Sequence, residues 1–223
     1  MPRESAESCR RPYRWVHGEV FTFSIGDDTL LLVKATNWEF TNRALVFGLI
    51  FAFAFPLYAL DHQNSTALLA NWLGSRLRIA ADFLTRVVLA FAAFVLVLAA
   101  LTRTWASSYL HAKVVYAAEI KTDSLVADGP YRRSRNPLYF ANVLMAVGMG
   151  ALMSRTGFFV AVVATVAFCY RLILREEAEL QASLGEQYER YRDAVPRLWP
   201  SVRQRIASAG RRANWTEGFK AES

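Results

Sequence analysis

Four apolar blocks, residues 44–60, 83–101, 138–153 and 158–174, limit what this chain can fold into. At 1.5 Å per helical residue, each could cross most of a hydrocarbon layer about 30 Å thick. The first, third and fourth are shorter than the usual ~20 residues. One such block suits the core of a soluble protein. Four in 223 residues do not, because the rest of the chain has too little polar surface to cover them. The expected fold is an all-α integral membrane protein with about four transmembrane helices.

The distribution of charge gives this chain an orientation. Cationic residues collect on the cytoplasmic side of spans. The N-terminal arm, the 103–137 loop and the residues from 171 onward hold 22 of the 26 Lys and Arg residues. The exceptions are Arg76, Arg78 and Arg155 in the opposite connections, and Arg86, about one turn inside the second block and able to snorkel. Both termini and the central loop are therefore expected in the cytoplasm. The net charge of +7 is assigned to anionic lipid head groups rather than to nucleic acid. The charged first residues do not read as a signal peptide. Cys9, in a polar arm, and Cys169, inside a span, are not expected to meet, and no metal-ligand spacing is present.

Within residues 1–43, the first twelve read as a basic disordered arm. Phe21 to Ile25, Asp27-Asp28 and Leu30 to Val33 read as a small β-hairpin with its turn. Residues 44–101 hold the first two spans, with Pro56 near the end of the first. Their connection includes Ala67 to Leu73, an interfacial stretch with Trp72 as its anchor. The last two spans, separated only by residues 154–157, form a closing helical hairpin. Gly148 and Gly150 are expected opposite Ala161, Ala164 and Thr165. Beyond Leu174, the stripe Leu180, Leu184, Tyr188, Tyr191 and Val195 predicts a cytoplasmic amphipathic helix ending at Pro196 and Pro200. Residues 201–223 read as a mobile basic tail near the membrane surface.

The chemistry concentrates in residues 123–139, immediately before the third span. Gly129-Pro130 is a turn, and Pro137 fits the first turn of the next helix. A loop with exposed backbone donors thus runs into a helix N-terminus, with Tyr131 and Tyr139 offering aromatic faces and Arg132, Arg133 and Arg135 offering positive charge. Two readings stand side by side: a polar-ligand site, or a basic loop resting on lipid phosphates. His17, His62 and His111 have no visible catalytic partner and read as surface or structural residues.

From residue 101 to about residue 200 the chain resembles the isoprenylcysteine carboxyl methyltransferase family, which includes bacterial membrane and phospholipid methyltransferase-like members. The resemblance rests on Leu125-Val126, Gly129-Pro130-Tyr131, Arg135-Asn136-Pro137-Leu138-Tyr139 and Glu176-Glu177. It continues through Leu180, Leu184-Gly185, Tyr188, Tyr191 and Val195-Pro196, with Trp105-Ala106 upstream. It implies S-adenosylmethionine as cofactor in residues 102–200, which form the methyltransferase core. Asp123, Ser124, Leu125 and Val126 would line the adenosine side. Tyr131, Asn136, Pro137, Leu138 and Tyr139 would surround the cofactor, and Glu176 would meet its polar groups. The acceptor would be a lipophilic small molecule or lipidated substrate, a carboxylate favoured over an amine. Arg171 or Arg175 would orient it, and Glu177 is the candidate base if it is an amine.

Three positions depart from the family pattern. Asp123 and Asn136 replace histidines, and Leu172 stands where an arginine is expected to hold the substrate. Asparagine still donates and accepts hydrogen bonds but cannot titrate near neutrality. Two other classes fit the sequence: a nicotinamide-dependent membrane reductase of similar helical layout, and a catalytically degenerate membrane scaffold.

Overall fold

The computed structural model describes residues 34–110, 127–208, 210 and 212–220. The N-terminal arm, the hairpin expected at 21–33, Cys9, His17, His111 and residues 123–126 lie outside the described residues. The described part is helical, without a named strand, as the apolar blocks predict.

Helix α1 (Asn37–Thr41) starts at a capping box. Thr36 Oγ1 accepts from Glu39 N at 3.2 Å and Glu39 Oε2 accepts from Thr36 N at 2.7 Å, so two end donors are satisfied reciprocally. Helix α2 (Arg43–Ala54) passes into a 3₁₀ turn, Phe55–Ala59, with Pro56 in its first turn, where the missing N–H costs nothing. The 61–82 connection folds into α3 (Ser65–Leu77), longer than the interfacial stretch expected there and capped by Asn64 Oδ1 on Ala67 N. Trp72 is exposed on it. Helix α4 (Ala81–Ser107) is followed, beyond the central loop, by α5 (Pro137–Gly150) and α6 (Arg155–Leu184). The last two helices are α7 (Glu186–Ala194) and α8 (Trp215–Lys220).

Two of the expected four crossings have the required length and apolarity: α4 with 27 residues and α6 with 30. Arg43–Ala59 and Pro137–Gly150 are apolar but shorter. The 14 residues of α5 rise only about 21 Å. On length alone the four-span expectation is therefore not supported. The exposure of α4 is informative: 17% of its most apolar stretch is buried, and Phe83, Phe91, Phe94, Val97 and Leu101 point outward. The core helix of a soluble protein would bury that surface.

The main helix pairs are α4 with α5, α5 with α6, α3 with α4, and α2 with α6. The expected α5–α6 hairpin forms, but its small residues serve other neighbours as well. A Cβ on Gly148 would strike Leu96 of α4 at 2.6 Å, so this glycine sets the α4–α5 approach rather than a contact with Ala161. Ala161 packs instead with Ala54 and Met153, and a Cβ on Gly157 would strike the Ala54 carbonyl at 2.5 Å. Gly150 does face α6, against Phe158. Arg155 to Gly157, read from sequence as a connection, form the first turn of α6, because Ser154 Oγ caps Gly157 N at 3.1 Å.

The amphipathic segment begins differently from expectation. Helix α6 runs unbroken through residue 174 to Leu184, and Gly185 at φ 52° separates it from α7. The stripe still converges, with Tyr188, Tyr191 and Val195 buried together beside Leu180 and Leu184. The described parts of the expected mobile tail pack against the rest of the structure. Residues 201–208 lie against the 128–134 loop, and α8 packs on the end of α4, where Asn214 N donates to Ser108 O at 2.7 Å. The signal is local: Trp215 and Phe219 supply apolar surface, and Gly218 permits approach to Ser108, which a Cβ would crowd at 3.0 Å.

Candidate functional site

The loop before α5 is fixed at Gly129, whose φ of 58° belongs to the left-handed region. A Cβ there would also collide with the Tyr109 ring, so glycine is required twice over. The following 3₁₀ turn, Gly129–Arg132, carries Tyr131 inward to 8% exposure, and Tyr191 Oη donates to the Tyr131 carbonyl at 2.9 Å. The Tyr131 hydroxyl itself has no hydrogen-bond partner among the described residues. Burial pushes its pKa well above the ordinary tyrosine value, and the neighbouring Tyr191 and Glu176 add to the shift.

Pro137 opens α5 and sets Tyr139 one turn inside it, where the Tyr139 hydroxyl donates to Glu176 Oε1 at 2.6 Å. Leu138, between them, is half-buried. Glu176 lies two residues past the apolar run that ends at Leu174 and keeps partial access to solvent. Burial raises its carboxyl to about 7, while the Tyr139 hydrogen bond and the charge of Arg43 pull it down. Tyr139 and Glu176 are thus joined between α5 and α6, with Tyr131 near enough to feel the Glu176 charge. The unpartnered Tyr131 hydroxyl and the Glu176 carboxylate suit a ligand bearing hydroxyl and ammonium groups.

Glu177 points elsewhere. It is paired with Arg135 Nη1 at 3.1 Å and with Arg197 Nη2 at 2.9 Å, and it also accepts from Arg197 Nε at 3.0 Å. Asn136 Nδ2 donates to Arg197 O at 2.9 Å and reaches Glu177 Oε1 at 3.5 Å. Glu177 and Asn136 therefore tie three segments together: the loop, α6 and the stretch following Pro196. Two guanidinium groups occupy the carboxylate that the sequence offered as a base.

Arg171 and Arg175 are turned to the N-terminal segment. Arg171 Nη2 pairs with Glu39 Oε2 at 2.8 Å, and Ala35 N donates to Arg171 O at 3.0 Å. Arg175 Nε pairs with Glu179 Oε1 at 3.0 Å, its Nη1 donates to Ala35 O at 3.4 Å, and its guanidinium stands 4.8 Å from the Phe40 ring centroid. Leu172 is fully buried with Phe40, Tyr139 and Phe168, so the position of the family arginine is a packing position here.

Two features escaped the sequence reading. Arg43, at the start of α2, lies near enough to Tyr139 and Glu176 to act on both, and its guanidinium sits 4.7 Å from the Phe40 centroid. Arg103, in the last turns of α4, donates from Nη1 to the buried Asn142 Oδ1 at 2.5 Å. An asparagine and an arginine near the ends of apolar helices were the available signal, since polar groups there need partners.

Residues 85–187 match the phospholipid methyltransferase family. The cobalt-zinc-cadmium resistance protein CzcN of Cupriavidus metallidurans is 28% identical over 105 residues, 47% of this chain and 45% of that protein. The nickel-cobalt-cadmium resistance protein NccN of Alcaligenes xylosoxydans xylosoxydans is 26% identical over 105 residues, 47% of this chain and 46% of its own length. The aligned stretch thus spans under half the length of either relative. No solved structure matches the chain.

Proposed function

We propose, from the match of residues 85–187 to the phospholipid methyltransferase family, that the chain transfers a methyl group from S-adenosylmethionine to a lipophilic acceptor at the inner face of a membrane. The proposed topology is multi-pass: α4 and α6 cross fully, α2 and α5 complete the bundle, and both termini and the site lie in the cytoplasm. The cationic residues at the ends of the spans support this orientation.

The observation that carries the reading is the meeting of Tyr139 with Glu176 at 2.6 Å, beside the unsatisfied hydroxyl of Tyr131. Tyr131 would hydrogen-bond the cofactor, and Glu176 would receive its ammonium or ribose hydroxyls. Pro137 and Leu138 would form apolar wall, and residues 123–126 would complete the adenosine side. S-adenosylmethionine supplies, when bound, a methyl group on a good leaving group, so the protein's contribution is alignment and exclusion of water. Tyr139 holds Glu176 in place. A carboxylate acceptor needs a cation rather than a base. Arg171 and Arg175 remain candidates to orient it, and Arg43, whose charge acts on both Tyr139 and Glu176, is added to them. Asn136 would act by fixing the loop through Arg197 rather than by moving a proton.

The relatives' names connect them with resistance to cobalt, zinc, cadmium and nickel. Among the described residues, no group of three His, Cys, Asp or Glu side chains is placed to hold a metal ion. The test is incubation of membranes containing the chain with methyl-labelled S-adenosylmethionine. Label should enter the lipid-soluble fraction and be lost in Tyr131→Phe/Glu176→Gln at unchanged protein level. Equal incorporation by the double variant would contradict the proposal.

A further inference from the structure

Residues 196–208 run back along the loop that carries Tyr131. Ser201 N donates to Arg133 O at 2.8 Å, Arg205 N to Arg132 O at 3.0 Å, and Arg132 Nε to Ile206 O at 2.8 Å. The two paired segments, residues 129–137 and 196–208, contain six arginines and no acidic residue. Glu177 answers Arg135 and Arg197. Arg203 and Arg205 are exposed, and Arg205 Nε donates to the neutral Ser201 Oγ at 2.9 Å.

Between these arginines lies an open groove of about 570 Å³, lined by Pro196, Trp199, Ser201, Val202, Arg203 and Arg205. Its apolar members are bare, Trp199 at 65% and Val202 at 89% exposure. The Trp199 ring meets Phe140 edge-on at 5.7 Å. Phe140 is in the first turn of the apolar helix α5, so the indole stands where that helix enters the apolar layer. An exposed indole and isopropyl group beside guanidiniums with no acidic partner among the described residues fit an environment that offers hydrocarbon and anionic oxygen together. Guanidinium binds phosphate through paired N–H donors.

We propose that this groove binds the head group of an anionic phospholipid. Arg203 and Arg205 hold the phosphate, while Trp199 and Val202 lie against the glycerol and the first acyl carbons. A lipid seated there presses residues 196–208 onto the Tyr131 loop, so that bilayer composition stabilises the site. The inference rests on the membrane reading given above.

The full chain is reconstituted in nanodiscs of phosphatidylcholine alone, of phosphatidylcholine with phosphatidylglycerol, or of phosphatidylcholine with added inorganic phosphate, and its thermal unfolding is followed. Phosphatidylglycerol should raise Tm by roughly 3 °C. Inorganic phosphate should not. Arg203→Gln/Arg205→Gln should lose the gain while matching the wild type in phosphatidylcholine alone, and native mass spectrometry should show its bound phosphatidylglycerol reduced. An equal gain in the double variant, the same gain from inorganic phosphate, or no gain at all overturns the proposal while leaving the membrane reading intact. A chain that fails to enter the discs overturns both.

Discussion

At Gly129 two independent demands meet, a left-handed φ and the Tyr109 ring against the missing Cβ. Gly129→Ala should therefore cost more than an ordinary glycine replacement, about 2 kcal/mol or more, read as a lowered Tm. Glu176 makes a prediction about pH. Burial raises its pKa to about 7 from an ordinary value of 4.5, so it is largely protonated in mildly acidic solution. A ligand bearing an ammonium prefers the carboxylate. Affinity for S-adenosylhomocysteine should thus rise from about pH 6 to about pH 8, and Glu176→Gln should flatten the profile. Calorimetric titration across that range checks it. For folding the sign reverses, since the raised pKa costs stability as pH climbs from the unfolded value towards 7. Tyr131, Tyr139 and Glu176 were readable as candidates because their motifs stand in the sequence. The partners of Glu177, Arg171 and Arg175 were not, because they depend on which face each residue of α6 presents.

The elements meet around Glu177. The loop brings Arg135, α6 brings the carboxylate, and the segment after Pro196 brings Arg197, with Arg135 and Glu177 nearly excluded from solvent. Removing the shared carboxylate leaves a buried guanidinium uncompensated, so Glu177→Gln should lower stability by about 3 kcal/mol. Arg197→Gln should cost less, because that side chain is partly exposed. Chemical denaturation of the two variants in detergent distinguishes them. The apolar blocks and the Leu180-to-Val195 stripe were visible in the sequence, since periodicity and hydropathy are local signals. Two other features were not. Helix α6 continues past its apolar run to Gly185, where only the backbone angle marks the break. The 196–208 segment is held by backbone pairing with residues 132–135 and by polar side chains that bond its carbonyls, neither of which follows a local sequence period.

At the scale of the molecule, α4, α5 and α6 form the frame, and among the described residues three segments close one of its ends: α1, the Tyr131 loop and the chain beyond Pro196. Each contributes to the surroundings of the Tyr139–Glu176 pair: Phe40 and Arg43 from the N-terminal side, Tyr131 from the loop, and Leu198 in the same apolar cluster as Tyr139. Composition foretold the helical frame and its outward apolar surface. It did not foretell that residues 35–43 dock beside the site, because their hold is a few long-range contacts: Ala35 with Arg171 and Arg175, the Glu39–Arg171 ion pair and the buried Phe40 ring. The central claim is that this end encloses a nucleoside-sized methyl donor. The most direct measurement is the thermal stability of the purified chain with S-adenosylhomocysteine or NADPH. S-adenosylhomocysteine should raise Tm in the wild type and not in Tyr131→Phe/Glu176→Gln, with NADPH inert. Stabilisation by NADPH alone, or an equal response of the double variant to S-adenosylhomocysteine, would contradict it.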